Sequence, residues 1–169
     1  VVNEFGKFAL HLLPSGIFRP GVVNILGNGV ALDCENLWKE IQQVQSQGVA
    51  ISPENLKISD RATICMPYHK LLDCLEEERL ADKKFGSTRR GIAPVYADKY
   101  MKKTVRMGDL LHPELLPEKL ADLMEWKNLT VNKGYGHEAI TPEAMLEWLN
   151  TYAMPFVPYI TNTTKYLGD

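Results

Sequence analysis

The residues best equipped for chemistry stand between Lys83 and Arg106. Lys83, Lys84, Arg89, Arg90, Lys99, Lys102, Lys103 and Arg106 are eight of the chain's 19 lysines and arginines, and Asp98 is the stretch's single acid. Its first half is a loop by composition: Gly86 and Gly91 permit positive φ, and Ser87 and Thr88 offer hydroxyl donors. Pro94 suits a first helical turn, where its missing N–H has no intrahelical partner to lose. From Val95 the spacing becomes helical. Lys99, Lys102, Lys103 and Arg106 fall at i, i+3, i+4 and i+7, which predicts four cations on one helix face. A helix N-terminus behind such a loop presents free amides and a positive dipole end; with hydroxyl and guanidinium groups beside it, phosphate fits. The pattern alone leaves three readings open: a solvated basic face, a phosphate or nucleotide site, and a nucleic-acid patch.

Other familiar chemistry is missing. No G-x-x-x-x-G-K-[S/T] loop occurs, and Gly27-Asn28-Gly29 does not extend to G-x-G-x-x-G. His11, His69, His112 and His137 lie in separate segments without metal-ligand spacing, so no metal site is expected from this chain. His11 alternates within a predicted strand and reads as a structural histidine or as a neighbour of the active-site loop. Cys34, Cys65 and Cys74 have no CxxC spacing and are expected as reduced, packed thiols. The triplets Asn128-Leu129-Thr130 and Asn162-Thr163-Thr164 match the glycosylation pattern, but with no secretion signal they read as accidental.

The elements that must position these residues change character along the chain. Val1-Val2, a turn through Asn3-Glu4-Phe5-Gly6, and Lys7 to Leu13 predict a β-hairpin. Val22 to Leu26 and Val30 to Leu32 are short apolar runs suited to buried strands. Asp33 caps a predicted helix to Gln47 with an apolar stripe of Cys34, Leu37, Trp38, Ile41 and Val44, stopped by Gly48. After the short segment Leu56 to Ile58 the chain reads as helix upon helix. Pro67 to Lys84 is expected to bury Leu71, Leu72 and Leu75 and to expose Glu76, Glu77 and Glu78. Pro113 to Asn128 uses Leu116, Leu120, Leu123 and Met124. Thr141-Pro142 opens a helix carrying Met145, Trp148, Leu149 and Tyr152, broken by Pro155 and Pro158, with a last helical segment towards Leu167. The fold class is therefore α/β: a partial sheet over residues 1–58, followed by a mainly helical subdomain over 59–169. Two or three strands and one helix leave sheet edges uncovered, so the α/β part looks incomplete.

Size and composition are those of an ordinary globular domain, with 45% hydrophobic and 24% charged residues and a net charge of -2. That charge argues against non-specific nucleic-acid binding by the whole molecule. No apolar run is long enough to span a bilayer, and a cytoplasmic location is expected.

Gly86-Ser87-Thr88-Arg89-Arg90-Gly91-Ile92-Ala93-Pro94-Val95-Tyr96-Ala97-Asp98-Lys99 resembles the IMP-binding signature of the adenylosuccinate synthetase family. Leu10-His11-Leu12-Leu13-Pro14-Ser15-Gly16-Ile17, then Gly27-Asn28-Gly29-Val30, and Val105-Arg106-Met107-Gly108-Asp109-Leu110 are similar to further family motifs, in the expected order. The likeness covers nearly the whole chain and tapers after Asn128. It implies a P-loop-GTPase-like synthetase core and a purine-biosynthesis ligase that joins IMP to L-aspartate at the expense of GTP, with Mg²⁺, on the route to AMP. GTP phosphorylates the 6-oxygen of IMP, and the aspartate amine then displaces that phosphate.

The resemblance also assigns residues. It places Thr88, with Ser87 and Gly86 beside it, on the IMP 5′-phosphate. It sets Lys102 where the family usually has an arginine that reaches across a homodimer to the partner's IMP. Lysine keeps the charge there and loses the bidentate fork. Lys99, Arg89 and Arg106 are expected in supporting electrostatic roles, and His11 near the active-site loop. Arg89 and Ala93 replace common glycines. The family's Gly-Asp-Glu-Gly-Lys and Gly-His-Thr motifs, which carry its catalytic groups, are not in this sequence. The chain accordingly reads as an internal segment, inactive alone, that positions substrate and binds neither GTP nor metal by itself. The rival reading is a non-catalytic helical interaction module whose basic stripe, with Tyr96 and Tyr100, docks an anionic partner or RNA.

Overall fold

The computed structural model describes residues 2, 3 and 6–168. β1 (Val2–Asn3) pairs antiparallel with β2 (Gly6–Lys7); the predicted turn through Glu4 and Phe5 lies outside the described residues. The expected second strand, Lys7 to Leu13, ends at Lys7. The amides of His11, Leu12 and Leu13 go instead to the carboxylate of Glu40, which leaves none of the three for a strand ladder.

Three parallel pairings form two sheets. β3 (Asn24–Leu26), β5 (Leu56–Ser59) and β7 (Ile160–Thr161) lie in that order with β5 central, in register Asn24↔Leu56 and Ile58↔Ile160. β4 (Ala31–Leu32) pairs with β6 (Thr63–Ile64). Parallel neighbours need a crossover, and α1 (Cys34–Gln45) supplies it between β4 and β5. Asp33 caps α1 by accepting the Asn36 amide, and Gly48 turns the chain away at φ +88°.

Beyond Ile58 the chain is mainly helical, as expected, but it also adds two short strands that the helix-upon-helix reading did not contain. β6 and β7 both follow that point, and they pair with β4 and β5. The strands supplied from the later half cover edges that the first 58 residues leave open. One apolar cluster runs through both halves, joining Leu26, Leu37, Ile41, Leu56 and Ile58 to Met107, Leu110, Leu120 and Phe156. Trp38 meets Phe156 edge-on at 5.6 Å.

The helices depart from expectation at two places that matter for the site. α2 (Pro67–Leu80) buries Tyr68, His69, Asp73 and Glu77, while Leu71, Leu72 and Leu75 are only half-buried. Asp73 and Glu77 face a loop rich in donors, described below, while the His69 ring bonds the Met66 amide and Asp98. α3 (Ile92–Met101) ends where Lys102 enters the left-handed region at φ 60°. Lys103 and Arg106 are therefore off the helix, and the expected four-cation face does not form. α3 buries only Val95 and Asp98. One valine contributes about 2 kcal/mol, against an ordering cost of about 1 kcal/mol or more for each helical residue. Polar anchors must hold the rest. α4 (Leu116–Val131) buries Leu116, Leu120, Leu123 and Met124 as expected, and Lys127 with them. α5 (Pro142–Trp148), capped by Thr141, continues through a wider turn over Leu149–Ala153 and a tighter one over Met154–Tyr159; α6 (Thr163–Gly168) closes the chain.

Candidate functional site

A crevice of about 620 Å³ opens between the segment after β2 and the loop before α3. One wall carries His11 and Leu12; Asn36, Lys39, Glu40 and Gln43 of α1 stand behind it. Ala31 and Cys65 lie at its base, and Thr88, Arg90 and Ile92 form the opposite wall.

Each wall is an irregular segment pinned by a carboxylate from a helix. On the first, Glu40 accepts from the amides of His11 at 2.8 Å, Leu12 at 3.1 Å and Leu13 at 3.0 Å. Its Oε1 also lies 3.3 Å from Nδ1 of His11, whose ring is half-exposed at the mouth. On the second, Asp73 accepts the Ser87 hydroxyl at 2.6 Å and the Gly91 amide at 2.8 Å, and Glu77 accepts the Phe85 amide at 3.1 Å. Gly91 sits at φ +76° against α2, where an added Cβ would lie 2.7 Å from the carbonyl carbon of His69. Only glycine fits that contact.

Local partners also spend the remaining acids of the crevice. Asp33 pairs with Lys70 at 2.7 Å while capping α1. The Cys65 thiol donates to the Arg90 carbonyl at 3.4 Å, and burial, with the nearby Asp33 charge, pushes its pKa up to about 12. It is a packed neutral thiol and no nucleophile. Lys39 is bound to Glu35 at 2.6 Å. What stays available on the second wall is cationic or neutral: Thr88 and Arg90 are both exposed there, and among the described residues the Thr88 hydroxyl meets no partner. An anion fits this balance.

The structure divides the residues singled out from the sequence. Thr88 and His11 share the crevice. Ser87 flanks Thr88 with its hydroxyl hydrogen committed to Asp73, and its oxygen accepts the Arg89 amide at 3.1 Å. Gly86 supplies a loop position at φ +75°, and Arg89, exposed, a left-handed one at φ 57°. Lys99 and Arg106 line a different hollow of about 310 Å³ with Asn28, Gly29 and Arg61. The Lys99 ammonium donates to the Asn28 carbonyl at 2.8 Å, and Tyr96 donates to Gly29 at 2.8 Å, so α3 is tied to the β3–β4 turn. Lys102 is exposed at the far end of α3, about 15 Å of helix from the Thr88 loop, and lines neither hollow.

Sequence reasoning counted Arg90 in the basic loop without giving it a role of its own, and it missed the crevice face of α1. The signal for the latter was present: Asn36, Lys39, Glu40 and Gln43 fall at i, i+3, i+4 and i+7, a polar stripe beside the apolar one. Among the described residues no three His, Cys, Asp or Glu side chains converge on a point where a metal ion could sit. No helix there is long and apolar enough to cross a membrane.

The family model for adenylosuccinate synthetase matches residues 1–169, beyond the Asn128 at which the motif likeness tapers. The adenylosuccinate synthetase of Dehalococcoides mccartyi strain BAV1 is 43% identical over 169 residues, covering 100% of this chain and 40% of that protein. That of Lactococcus lactis subsp. lactis is 42% identical over 169 residues, covering 100% of this chain and 39% of that protein. A solved structure of fully ligated adenylosuccinate synthetase from Plasmodium falciparum superposes with a TM-score of 0.83 at 26% identity, over 99% of this chain and 38% of that one. The chain thus spans about 40% of the length of the curated relatives it matches.

Proposed function

The chain belongs to the adenylosuccinate synthetase family, and on that premise we propose that it is the segment of such an enzyme that holds the 5′-phosphate of IMP. The observation that carries this reading is the second wall of the crevice. Thr88 and Arg90 are exposed beside the N-terminus of α3, on a loop whose other donors, the Ser87 hydroxyl and the Gly91 amide, are already engaged.

The parent reaction is a GTP-dependent ligation of IMP and L-aspartate to adenylosuccinate, in the synthesis of AMP. In it this segment binds and orients. Thr88 donates its hydroxyl to the phosphate, Arg90 adds charge, and Gly86 and Ser87 hold the loop's shape. Fixing the phosphate tail sets the purine where the reacting groups meet it, a positioning contribution rather than a chemical one. The reaction of this family also uses GTP and Mg²⁺, and the role proposed for this segment is confined to IMP. The segment alone does not turn over.

Lys102 serves a different protomer. It does not line this crevice and is the exposed cation terminating α3, which suits a charge that reaches the IMP phosphate of a partner in a homodimer. Lys99 and Arg106 keep supporting roles around the second hollow. The interaction-module reading loses its geometric basis, because its basic stripe needs a helix that stops at Met101.

In the complete enzyme, Lys102→Glu is expected to raise the KM for IMP at least tenfold and to leave the KM for GTP within twofold. An unchanged KM for IMP removes Lys102 from the site.

A further inference from the structure

Asp73 does not line the crevice, yet it is 8% exposed and makes the shortest bonds to the loop that does. Its two oxygens take separate donors, the Ser87 hydroxyl at 2.6 Å and the Gly91 amide at 2.8 Å. Those donors bracket Thr88, Arg89 and Arg90, the three residues that turn outward, including the left-handed Arg89. One helical turn further along α2, Glu77 holds the Phe85 amide. One turn earlier, the His69 backbone forms the surface on which Gly91 rests.

We infer that Asp73 is a positioning residue for nucleotide binding: its carboxylate clamps both ends of the 88–90 turn and fixes Thr88 in the crevice before ligand arrives. The inference deepens the phosphate reading above and rests on it for its functional meaning.

The chemistry selects a carboxylate. Two donors approaching from opposite ends of a turn need two acceptors on one rigid group, which an ionised Asp supplies. A negative charge behind a phosphate loop works against the ligand's own charge. Its presence there therefore points to geometry as its role. A preorganised loop spares the ligand the cost of ordering it. Asparagine can restore both contacts in weaker form, accepting from Gly91 and donating to the Ser87 oxygen, whereas leucine removes both contacts and leaves the buried Gly91 amide unmet.

The test uses the complete enzyme. Asp73→Leu is expected to raise the KM for IMP at least tenfold with the KM for GTP within twofold, and Asp73→Asn to recover most of that loss. A purely structural residue would move both constants together, and that outcome overturns the inference. Should Asp73→Leu fail to fold, Ser87→Ala removes one of the two clamped donors with little change in packing. It is expected to raise the KM for IMP about threefold, and an unchanged value overturns the inference. Hydrogen exchange at the Gly91 amide reads the clamp without substrate: it should quicken at least tenfold in Asp73→Leu, and equal protection overturns it. The two layers separate cleanly. An unchanged KM for IMP in Thr88→Ala defeats the phosphate reading. A raised value there beside an unchanged one in Asp73→Leu defeats the clamp alone.

Discussion

His69 Nε2 lies 2.9 Å from Oδ2 of Asp98 in a buried contact, and the same carboxylate receives the Lys127 ammonium at 2.5 Å. Three helices meet there: His69 comes from α2, Asp98 from α3 and Lys127 from α4. His69 Nδ1 accepts the Met66 amide at 2.9 Å, so Nε2 carries the hydrogen and donates it to Asp98. The ring is thereby assigned as neutral, and the buried charges are one carboxylate and one ammonium. This junction ties α3 to both α2 and α4.

Asp98→Asn leaves the Lys127 ammonium buried without its counter-charge. Breaking a buried pair in this way is expected to cost about 3–5 kcal/mol in denaturant unfolding. Adding Lys127→Met should recover much of the loss, because an apolar group of similar length no longer needs a partner. A single variant within about 0.5 kcal/mol of wild type contradicts the junction, since that is the range of an ordinary surface change.

Burial pushes the His69 pKa below its usual 6.5, against the opposing pull of Asp98. A histidine kept neutral in the fold and free to protonate when unfolded makes the unfolded chain bind more protons below that value. Its contribution to stability is therefore intact above pH 6.5 and declines as pH falls through 6.5 towards the lowered folded value. His69→Gln keeps one acceptor and one donor but cannot titrate. The stability difference between wild type and this variant should shift against wild type as pH drops from 7 to 5. A difference that stays flat contradicts the neutral assignment.

Glu40 stabilises the other wall. Its carboxylate, 11% exposed, satisfies three consecutive amides that have no strand partner. Glu40→Ala is expected to destabilise the protein by about 3 kcal/mol, the scale of leaving buried donors unmet by a charged acceptor. Amide exchange at His11 to Leu13 should quicken with it. Unchanged exchange there rules out the carboxylate as the anchor.

Gly91 and Gly86 both have positive φ, yet substitution at the two should differ. Gly86→Ala meets nothing within 4 Å and costs only conformational strain, about 1 kcal/mol. Gly91→Ala drives Cβ to 2.7 Å from the backbone of His69 and should cost about 3 kcal/mol or more. Equal losses in thermal or denaturant unfolding would show that loop and helix are not in contact at Gly91.

Sequence reasoning reached the features that are written locally. The Asp33 cap, the Gly48 stop, the apolar stripes of α1 and α4, and a loop leading into a helix whose first turn holds Pro94 each depend on a few adjacent residues. It missed what depends on the neighbour across a gap. Helical period identifies a 69/73/77 face on α2 but not that the covering loop carries donors, so Glu77 read as solvent-facing. β6 and β7 are two residues long, too short to leave an alternation pattern. The end of α3 came as a left-handed lysine at 102 instead of a glycine, so nothing in the spacing of Lys99, Lys102, Lys103 and Arg106 marked the break. For the site, Thr88 was legible through its motif and Arg90 only as one charge of a basic loop, while the α1 face required knowing which surfaces confront one another.

The most direct measurement is calorimetric titration of the complete enzyme and its Thr88→Ala variant with IMP and with inosine, which lacks the phosphate. A hydroxyl bonded to a charged oxygen contributes about 1.5–3 kcal/mol. The account therefore predicts IMP affinity lower by about 10- to 100-fold in the variant, with inosine affinity unchanged. Equal weakening of both ligands, or no weakening of either, would contradict the assignment of this crevice to a nucleotide phosphate.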